Sequence, residues 1–273
     1  WFRASVVFAE EPQRGGGAAD FMPLEDHEKR WFRAAESGDL SAMREQCSPL
    51  RSDRMRIAVD QTDLGERTAM HHAAEHGHVD VLGWLLSEGG NAIVVDSMGR
   101  HPLHAAASAG HTLAIRMLID VGNAALEARD RSGCTPLWLA VSADHVPAVQ
   151  LLLGLGASPN VADTGLTTPL HKAAAGGKVE TARLLVDSGG RIDAKDARGH
   201  SVIAHANERV RDLIWFHSAA RGDVPRLRHM LAQIIGADGD EGAQANTRGR
   251  RRTGGKGSGG VAASAASAAS ATS

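Results

Sequence analysis

The segment Thr168-Pro169-Leu170-His171-Lys172-Ala173-Ala174 decides the fold, because its pattern recurs along this chain of 273 residues. The matching tetrapeptides are Thr68-Ala69-Met70-His71, His101-Pro102-Leu103-His104, Thr135-Pro136-Leu137-Trp138 and Ser201-Val202-Ile203-Ala204. Successive copies are 33 or 34 residues apart. A period of this length is typical of a repeat array, in which each unit buries its apolar face against its neighbours.

Each unit predicts two short helices joined by turns. Thr before Pro is a helix N-cap followed by a favoured first helical residue, and the paired alanines let neighbouring units approach closely. Gly77, Gly110 and Gly177 are placed to end the first helix in the left-handed conformation, whereas Asp144 takes that position in the third unit. An apolar cluster such as 81–86 predicts the second helix, and an Asp five residues before each N-cap supplies a turn.

These motifs resemble ankyrin repeats, and the regular matches cover residues 63–195. The resemblance implies an all-α solenoid of stacked helix-turn-helix units with short β-hairpin loops and disordered termini. The predicted organisation is a disordered or fragmentary segment at 1–20, a degenerate N-terminal capping repeat and loop at 21–62, four repeats at 63–95, 96–129, 130–162 and 163–195, a shortened fifth repeat with a terminal helical pair at 196–236, and a low-complexity disordered tail at 237–273. The pair is expected because Trp215–Val224 repeats the pattern of Trp31–Leu40.

Composition restricts the classes of function. A net charge of −2 and a pI near 6.7 do not fit a strongly basic nucleic-acid binder. Cys47 and Cys134 are too few for a disulfide framework or a four-cysteine zinc module, and no apolar run approaches the ~20 residues of a membrane span. We therefore expect a monomer in the cytoplasm, with the nucleus as the alternative, and neither a small-molecule substrate nor a nucleic-acid partner. The basic cluster Arg248–Arg252 is interpreted as a solubilising linker rather than a nuclear-import or nucleic-acid patch.

One motif could carry chemistry. His72-Ala73-Ala74-Glu75-His76 matches the H-x-x-E-H signature of some zinc hydrolases, and a helix would place both histidines on one face. The repeat pattern explains the same letters without a metal, so a zinc hydrolase is the least favoured hypothesis. Gly-rich nucleotide loops and a Gly-x-Ser-x-Gly motif are absent from the sequence. We predict no catalytic residue, metal site or cofactor. The resemblance implies a structural role in backbone hydrogen bonds for His71, His104 and His171.

The resemblance also implies a concave binding face formed by the hairpin tips and the first helices. The predicted partner-binding residues are Arg67, His72, Glu75, His76, Met98, Arg100, Ser108, Arg131, Cys134, Trp138, Ser142, Lys172, Arg198 and His200. Four of the five tips carry Arg, which pairs well with carboxylates and favours a partner with an acidic segment. The alternative is that these charges only solvate the tips. Trp138 occupies the histidine position, so the third repeat is expected to lose that hydrogen bond. Its indole either anchors a partner or packs against the next hairpin.

The leading functional hypothesis is a non-catalytic protein-interaction module that acts as an adaptor or scaffold. The alternative is a regulatory ankyrin segment of a larger, truncated enzyme or channel. This alternative rests on the missing initiator Met and on the renewed pattern at Trp215.

Overall fold

The computed structural model of the chain describes residues 24–47 and 59–220, together with positions 222, 227–228 and 231. Twelve helices are formed within these residues: α1 Leu24–Ser37, α2 Leu40–Cys47, α3 Ala69–His76, α4 Val79–Ser87, α5 Pro102–Ala109, α6 Thr112–Asp120, α7 Pro136–Ala143, α8 Val146–Gly154, α9 Pro169–Ala175, α10 Val179–Asp187, α11 Val202–His205 and α12 Glu208–Ala220. The described residues contain no β-strand, only two isolated antiparallel bridges, Thr62 with Thr68 and Lys195 with Ser201. None of their helices is long and apolar enough to cross a membrane.

The helices stack in two rows, which confirms the predicted all-α repeat solenoid. The inner row runs α1, α3, α5, α7, α9 and α11, and each helix contacts the next in that order. The outer row runs α2, α4, α6, α8 and α10, again with each helix against the next. Each repeat therefore packs only against its immediate neighbours, and its stability depends on theirs.

The predicted helix boundaries follow from capping chemistry. Thr68, Thr135 and Thr168 have extended backbone angles before the first helix of their repeats, and Pro136 and Pro169 follow as first helical residues. At the other end of the first helix, Gly77 has φ 74° and Gly110 has φ 80°. Asp144 takes the same left-handed conformation, with φ 65°. The left-handed residue ends the last turn of the helix and redirects the chain into the second helix.

The core is continuous through the stack. In the inner row it contains Leu103, Leu137 and Leu170, and the outer row contributes side chains such as Leu118 and Leu152. All of these leucines are almost fully buried. Each buried leucine contributes roughly 1.5–3 kcal/mol. Because each repeat packs against the adjacent ones, losing one repeat would expose the apolar face of the next.

The N-terminal unit, residues 21–62, joins the array through aromatic contacts. Trp31 of α1 is fully buried, and its ring lies edge-on to Trp84 of α4 with 6.2 Å between the ring centroids. The second helix of this unit is the eight-residue α2. Residues 48–58, which belong to the stretch 21–62 that the sequence assigns to a capping repeat and loop, lie outside the described residues.

The fifth repeat is short, and most of the residues after it that the sequence assigns to a terminal helical pair lie outside the described residues. The first helix of the fifth repeat, α11, has only four residues. Helix α12 continues without interruption through Trp215, so no new helix starts at this residue. Beyond His217, where the first compact unit of the chain ends, only residues 218–220 and the isolated positions are described. The termini at 1–20 and 237–273, including Arg248–Arg252, lie outside the described residues.

Candidate partner-binding surface

An aspartate closes the hairpin at the start of every repeat. Asp130 Oδ1 accepts hydrogen bonds from the backbone N–H groups of Ser132, at 2.9 Å, and Cys134, at 2.8 Å. The equivalent carboxylates are Asp63 with Gly65 and Arg67, Asp96 with Met98 and Arg100, Asp163 with Gly165 and Thr167, and Asp196 with Arg198 and His200. The aspartates that the sequence assigns to turns therefore shape five hairpin tips in the same way.

Backbone hydrogen bonds join each tip to the next. Ser97 N–H donates to the Gly65 carbonyl at 2.9 Å, and Arg131 N–H donates to the Met98 carbonyl at 3.0 Å. The next two junctions repeat the contact, from Thr164 to Ser132 and from Ala197 to Gly165. We call the surface formed by residues 63–67, 96–100, 130–134, 163–167 and 196–200 the hairpin ridge. Its five tips are held in a fixed register.

Histidines attach the inner helices to this ridge. His71 Nδ1 accepts the N–H of Thr68 at 3.1 Å, and its Nε2 donates to the carbonyl of Arg100 at 2.9 Å. His104 repeats both bonds, with the N–H of His101 and the carbonyl of Cys134, each at 3.1 Å. Burial lowers the pKa of both histidines to about 4, so they are neutral at pH 7. The structural role implied for these two residues is confirmed.

Trp138 preserves the hydrogen bond that the histidines make. Its indole Nε1–H donates to the carbonyl of Thr167 at 3.1 Å, in the same position relative to the next repeat. The expectation that the third repeat loses this bond is therefore wrong. The half-buried ring also carries the Lys172 ammonium 5.3 Å from its centroid, a cation–π arrangement. Both residues face the surface between two inner helices.

The four arginines of the hairpin ridge are not equivalent. Arg67 forms an ion pair with Glu75, and the Nε and Nη2 atoms of Arg100 both lie 2.9 Å from Asp96 Oδ2. Arg131 and Arg198 are exposed and form no ion pair with any described residue. The unneutralised positive charge of the ridge is therefore located at its third and fifth tips.

Exposed apolar side chains also lie on the ridge, and the sequence predicted only one of them. Met98 is 53% exposed, Leu166 is 56% exposed and Leu64 is fully exposed. Leu166 has φ 57°, in the left-handed region where the second, third and fifth tips have glycine. An apolar residue beside the tip glycine, where charge is expected, is the sequence signal that could have identified Leu64 and Leu166.

Two of the predicted surface residues are buried instead. His72 Nε2 lies 2.9 Å from Asp63 Oδ2, and its Nδ1 lies 3.2 Å from Glu36 Oε1. Cys134 is also buried, and burial together with the carboxylates of Asp130 and Asp163 raises its thiol pKa to about 12. Neither side chain reaches the accessible surface, because each is covered by the adjacent unit or hairpin.

The other predicted residues are accessible. Glu75, His76 and Ser108 are exposed on the inner helices, as is His200 on the fifth tip, while Ser142 and Lys172 are half-buried. The inner helices and the hairpin ridge thus form one accessible surface, with Trp138 near its centre.

The three residues of the H-x-x-E-H motif do not converge on a common point. His72 lies between two carboxylates, Glu75 forms its ion pair with Arg67, and His76 Nδ1 lies 3.0 Å from the His72 carbonyl. Among the described residues, the motif is therefore not assembled as a three-ligand metal site. The geometry does not support the zinc hydrolase hypothesis.

Comparison with known proteins identifies the family. The ankyrin-repeat family model matches residues 31–125, 90–163 and 123–196, so the chain belongs to the ankyrin repeat family. It is 36% identical over 137 residues to neurogenic locus notch homolog protein 1 of Danio rerio, and 37% identical over 136 residues to neurogenic locus notch homolog protein 2 of Homo sapiens. Each match covers 50% of this chain and 6% of the relative.

A match of different class is the transient receptor potential cation channel subfamily A member 1 homolog of Caenorhabditis elegans. It is 29% identical over 189 residues, covering 68% of this chain and 16% of the channel. The chain thus corresponds to a small part of each of these relatives. Ankyrin repeats are protein-interaction modules and are generally non-catalytic.

Proposed function

We propose that this chain is a non-catalytic adaptor or scaffold that binds an acidic segment of a partner protein along the hairpin ridge. The proposal rests on the continuity of the ridge, whose four tip-to-tip backbone hydrogen bonds hold five tips in register. A preorganised surface loses little conformational freedom when it binds, so more of the contact energy contributes to affinity.

The side chains of the ridge favour a segment that combines carboxylates with apolar residues. Arg131 and Arg198 are exposed and have no intramolecular carboxylate partner among the described residues. Their planar guanidinium groups can bind carboxylates in a bidentate manner. Leu64, Met98 and Leu166 supply exposed apolar area between and beside these cations.

The backbone of Leu166 supports a role in binding rather than in folding. A left-handed conformation costs a non-glycine residue roughly 1–2 kcal/mol, and the exposed side chain recovers little of this by burial. Glycine occupies the same position at the second, third and fifth tips, as Gly99, Gly133 and Gly199, while the first tip has the charged residue Glu66 with φ 59°. A leucine that lowers stability and projects into solvent is most useful as a contact for a partner.

The test is an affinity capture with the full chain and two matched double variants. The ridge variant carries Arg131→Glu and Leu166→Asp. The control carries Arg183→Glu and Leu113→Asp, which make the same substitutions on exposed residues of the outer row. We expect the wild-type chain and the control to capture the same protein, and the ridge variant to recover at least about tenfold less.

Salt and folding controls complete this test. Circular dichroism must show that all three proteins are equally helical, and capture should weaken as ionic strength rises, because charge pairs at a rim are screened. Equal recovery by the ridge variant and the wild-type chain would place the binding surface elsewhere and refute the proposal.

We further propose that the chain acts as a monomer in the cytoplasm, with the nucleus as the alternative. The sequence has only two cysteines, Cys47 and Cys134, which is fewer than the disulfide frameworks of small secreted domains use. Analytical ultracentrifugation of the purified chain and imaging of a tagged chain in cells test the two statements separately. A concentration-independent dimer or a secreted product would contradict them.

A second candidate is a regulatory segment of a larger enzyme or channel. It is favoured by the matches to the notch homologues and to the cation channel homologue, because this chain corresponds to 6–16% of their length. Sequencing full-length transcripts from the source organism separates the two candidates. A reading frame that continues into a catalytic or channel domain supports the second one.

A further inference from the structure

Three metal-ligating side chains lie together in the fifth repeat, two of them on the fifth tip of the hairpin ridge. Asp196 starts the fifth hairpin, His200 lies at its tip, and His205 is the last residue of α11. One ligand atom from each of the three lies within 4.8 Å of the other two. Among the described residues, this is the only group of three or more His, Cys, Asp or Glu side chains with such convergence.

The distances are close to those of a coordination shell. Asp196 Oδ2 lies 3.0 Å from His205 Nε2 and 3.5 Å from His200 Nδ1. Ligands about 2.0–2.1 Å from a tetrahedral metal ion are roughly 3.3 Å apart. Two of the three edges are therefore near this value, although the 3.0 Å contact is a hydrogen bond that an ion would replace. The two imidazole ligand atoms lie within 4.8 Å of each other, and the side chain of His200 is 52% exposed, which leaves it room to turn toward an ion.

Backbone hydrogen bonds orient the carboxylate. Asp196 Oδ1 accepts the N–H groups of Arg198, at 2.9 Å, and His200, at 2.8 Å, as in every other hairpin. These bonds hold Oδ2 toward the two imidazoles. A ligand fixed by a second set of hydrogen bonds is typical of protein metal sites.

The other repeats show that this arrangement is particular to the fifth. The position of His205 is occupied by Ala105, Leu139 and Lys172 in the second, third and fourth repeats. The first repeat has His72 there, and it also contacts its hairpin aspartate, Asp63. However, the other ring nitrogen of His72 faces Glu36. The imidazole therefore lies between the carboxylates of Asp63 and Glu36, and these two carboxylates cannot bind the same metal ion.

We propose that Asp196, His200 and His205 bind a divalent first-row transition-metal ion, with Zn²⁺ as the probe. Two imidazole nitrogens and one carboxylate oxygen form a ligand set suited to Zn²⁺ and unlike the all-oxygen sets of Ca²⁺ or Mg²⁺. The exposure of His200 and His205 leaves a fourth position to water. The proposal departs from the sequence-based expectation that the chain holds no metal.

The bound ion would stabilise the C-terminal end of the repeat array. It links the fifth hairpin to α11, which is a helix of only four residues and too short to be stable by itself. A ligand that binds the folded state alone raises its stability by mass action. Occupancy is therefore expected to raise the unfolding temperature of the C-terminal repeat, independently of any partner on the ridge.

The experiment is a titration of the chelator-treated full chain with Zn²⁺ by isothermal calorimetry at neutral pH. Three variants are compared with the wild-type chain: Asp196→Asn, His205→Gln and, as the control, His76→Gln. Asp196→Asn keeps Oδ1 as an acceptor for the hairpin and removes the charged ligand oxygen. His76 is an exposed histidine of the first repeat.

We expect one equivalent of Zn²⁺ to bind the wild-type chain and the His76→Gln variant equally. Affinity should fall at least about tenfold in each of the other two variants. Substitution with Co²⁺ should give intense visible bands of a low-coordinate site in the wild-type chain and the control, and not in the other two variants. Circular dichroism confirms that every variant is folded. Failure of the wild-type chain to bind Zn²⁺, or equal affinity in His205→Gln, would overturn the proposal.

Discussion

The junction between the second and third repeats and the junction between the third and fourth repeats satisfy the same contacts with different side chains. At the first of these junctions, His104 donates to the carbonyl of Cys134, and Gly110 ends α5 beneath the ring of His145. At the second, Trp138 donates to the carbonyl of Thr167, and Asp144 ends α7.

The exchange at the helix end involves two positions at once. A Cβ atom added to Gly110 would lie 2.6 Å from the ring of His145 in the next repeat. The left-handed residue must therefore be glycine wherever the next repeat places a histidine against it. The third repeat has Asp144 instead, and the next repeat has Lys178 in place of that histidine. Lys178 Nζ reaches the carbonyls of Val141 and Ser142 at 2.9 and 2.7 Å.

This comparison shows that the junction requires certain contacts rather than certain residues. A side-chain donor on the first helix must reach the carbonyl of the next hairpin. The left-handed residue at the end of that helix must also fit the side chain that the next repeat places above it, as Gly110 fits His145 and Asp144 fits Lys178. Replacing one residue of such a pair should therefore lower the free energy of unfolding more than replacing both.

Lowering the pH is expected to change the free energy of unfolding more than any single substitution below. Burial lowers the pKa of His71 and His104 to about 4, so the unfolded chain binds protons between pH 6.5 and pH 4 that the folded chain does not. The contribution of these two histidines to the free energy of unfolding is therefore fully present above pH 6.5 and is lost as the pH drops toward 4. The expected loss is about 3 kcal/mol for each histidine.

Urea unfolding at pH 7 and pH 4.5 measures this loss. His104→Gln keeps a donor for the Cys134 carbonyl but does not titrate, so its stability should depend less on pH than that of the wild-type chain. An unchanged pH dependence in His104→Gln would show that this histidine is not a source of the effect.

Removing His104 should be the next largest change. His104→Ala leaves the half-buried N–H of His101 without its acceptor, removes one of the two donors to the Cys134 carbonyl, which keeps the N–H of Asp130, and opens a cavity where the imidazole was. We expect a loss of about 4 kcal/mol in the free energy of unfolding at pH 7. The matched change at the other junction is Trp138→His. It introduces the two imidazole nitrogens that His104 uses at the first junction, and it should alter the free energy of unfolding by less than about 1.5 kcal/mol. A large loss in Trp138→His would mean that the junctions are not equivalent.

Placing a methyl group beneath the His145 ring, by Gly110→Ala, should lower the free energy of unfolding by about 3 kcal/mol. Gly110→Ala combines the left-handed strain of roughly 1–2 kcal/mol with the contact against the imidazole ring. Gly156 also has positive φ, but an added Cβ atom would meet no other atom within 4 Å, so Gly156→Ala isolates the strain alone. Denaturant midpoints of the two variants measure the difference. Equal losses would show that the histidine ring moves away without cost.

The smallest expected effect comes from exchanging the pair formed by Asp144 and Lys178. Lys178→His places a ring above the Cβ of Asp144 and should cost about 2 kcal/mol, whereas adding Asp144→Gly should recover most of it. The complete exchange also removes the 2.7 Å bond from Thr181 to Asp144, so full recovery is not expected. A double-mutant cycle of chemical denaturation measures the coupling energy. Additive losses would contradict the interpretation of these residues as one set.

Sequence reasoning predicts the repeated elements well because their signals are local. The N-cap threonines, the prolines at the first helical position and the left-handed residues each act within one helical turn. Asp144 is correctly placed at a helix end for this reason, although it is not glycine. The continuous helix through Trp215 is not predicted, because the residues resemble a repeat start while the chain continues as one helix.

The binding surface is predicted less completely. Its location on the hairpin tips follows from the resemblance, and Met98 and Arg131 are exposed there. The burial of His72 and Cys134 depends on side chains from Glu36 or the neighbouring hairpin, far away in the sequence. The exposure of Leu64 and Leu166 contradicts the usual expectation that leucine is buried.

The sequence by itself determined the period, the two-helix unit and the all-α class, because these depend on residues within a few positions of one another. The tertiary structure decided which charges are neutralised and which ligand atoms converge. Arg100 and Arg131 are both hairpin arginines, yet of the two only Arg100 pairs with a described carboxylate, that of Asp96 in its own hairpin. His72 and His205 hold the same repeat position, yet only His205 meets a second histidine beside its aspartate. Such distances depend on side-chain rotation and on how each hairpin packs against its own first helix, which the repeat pattern does not specify.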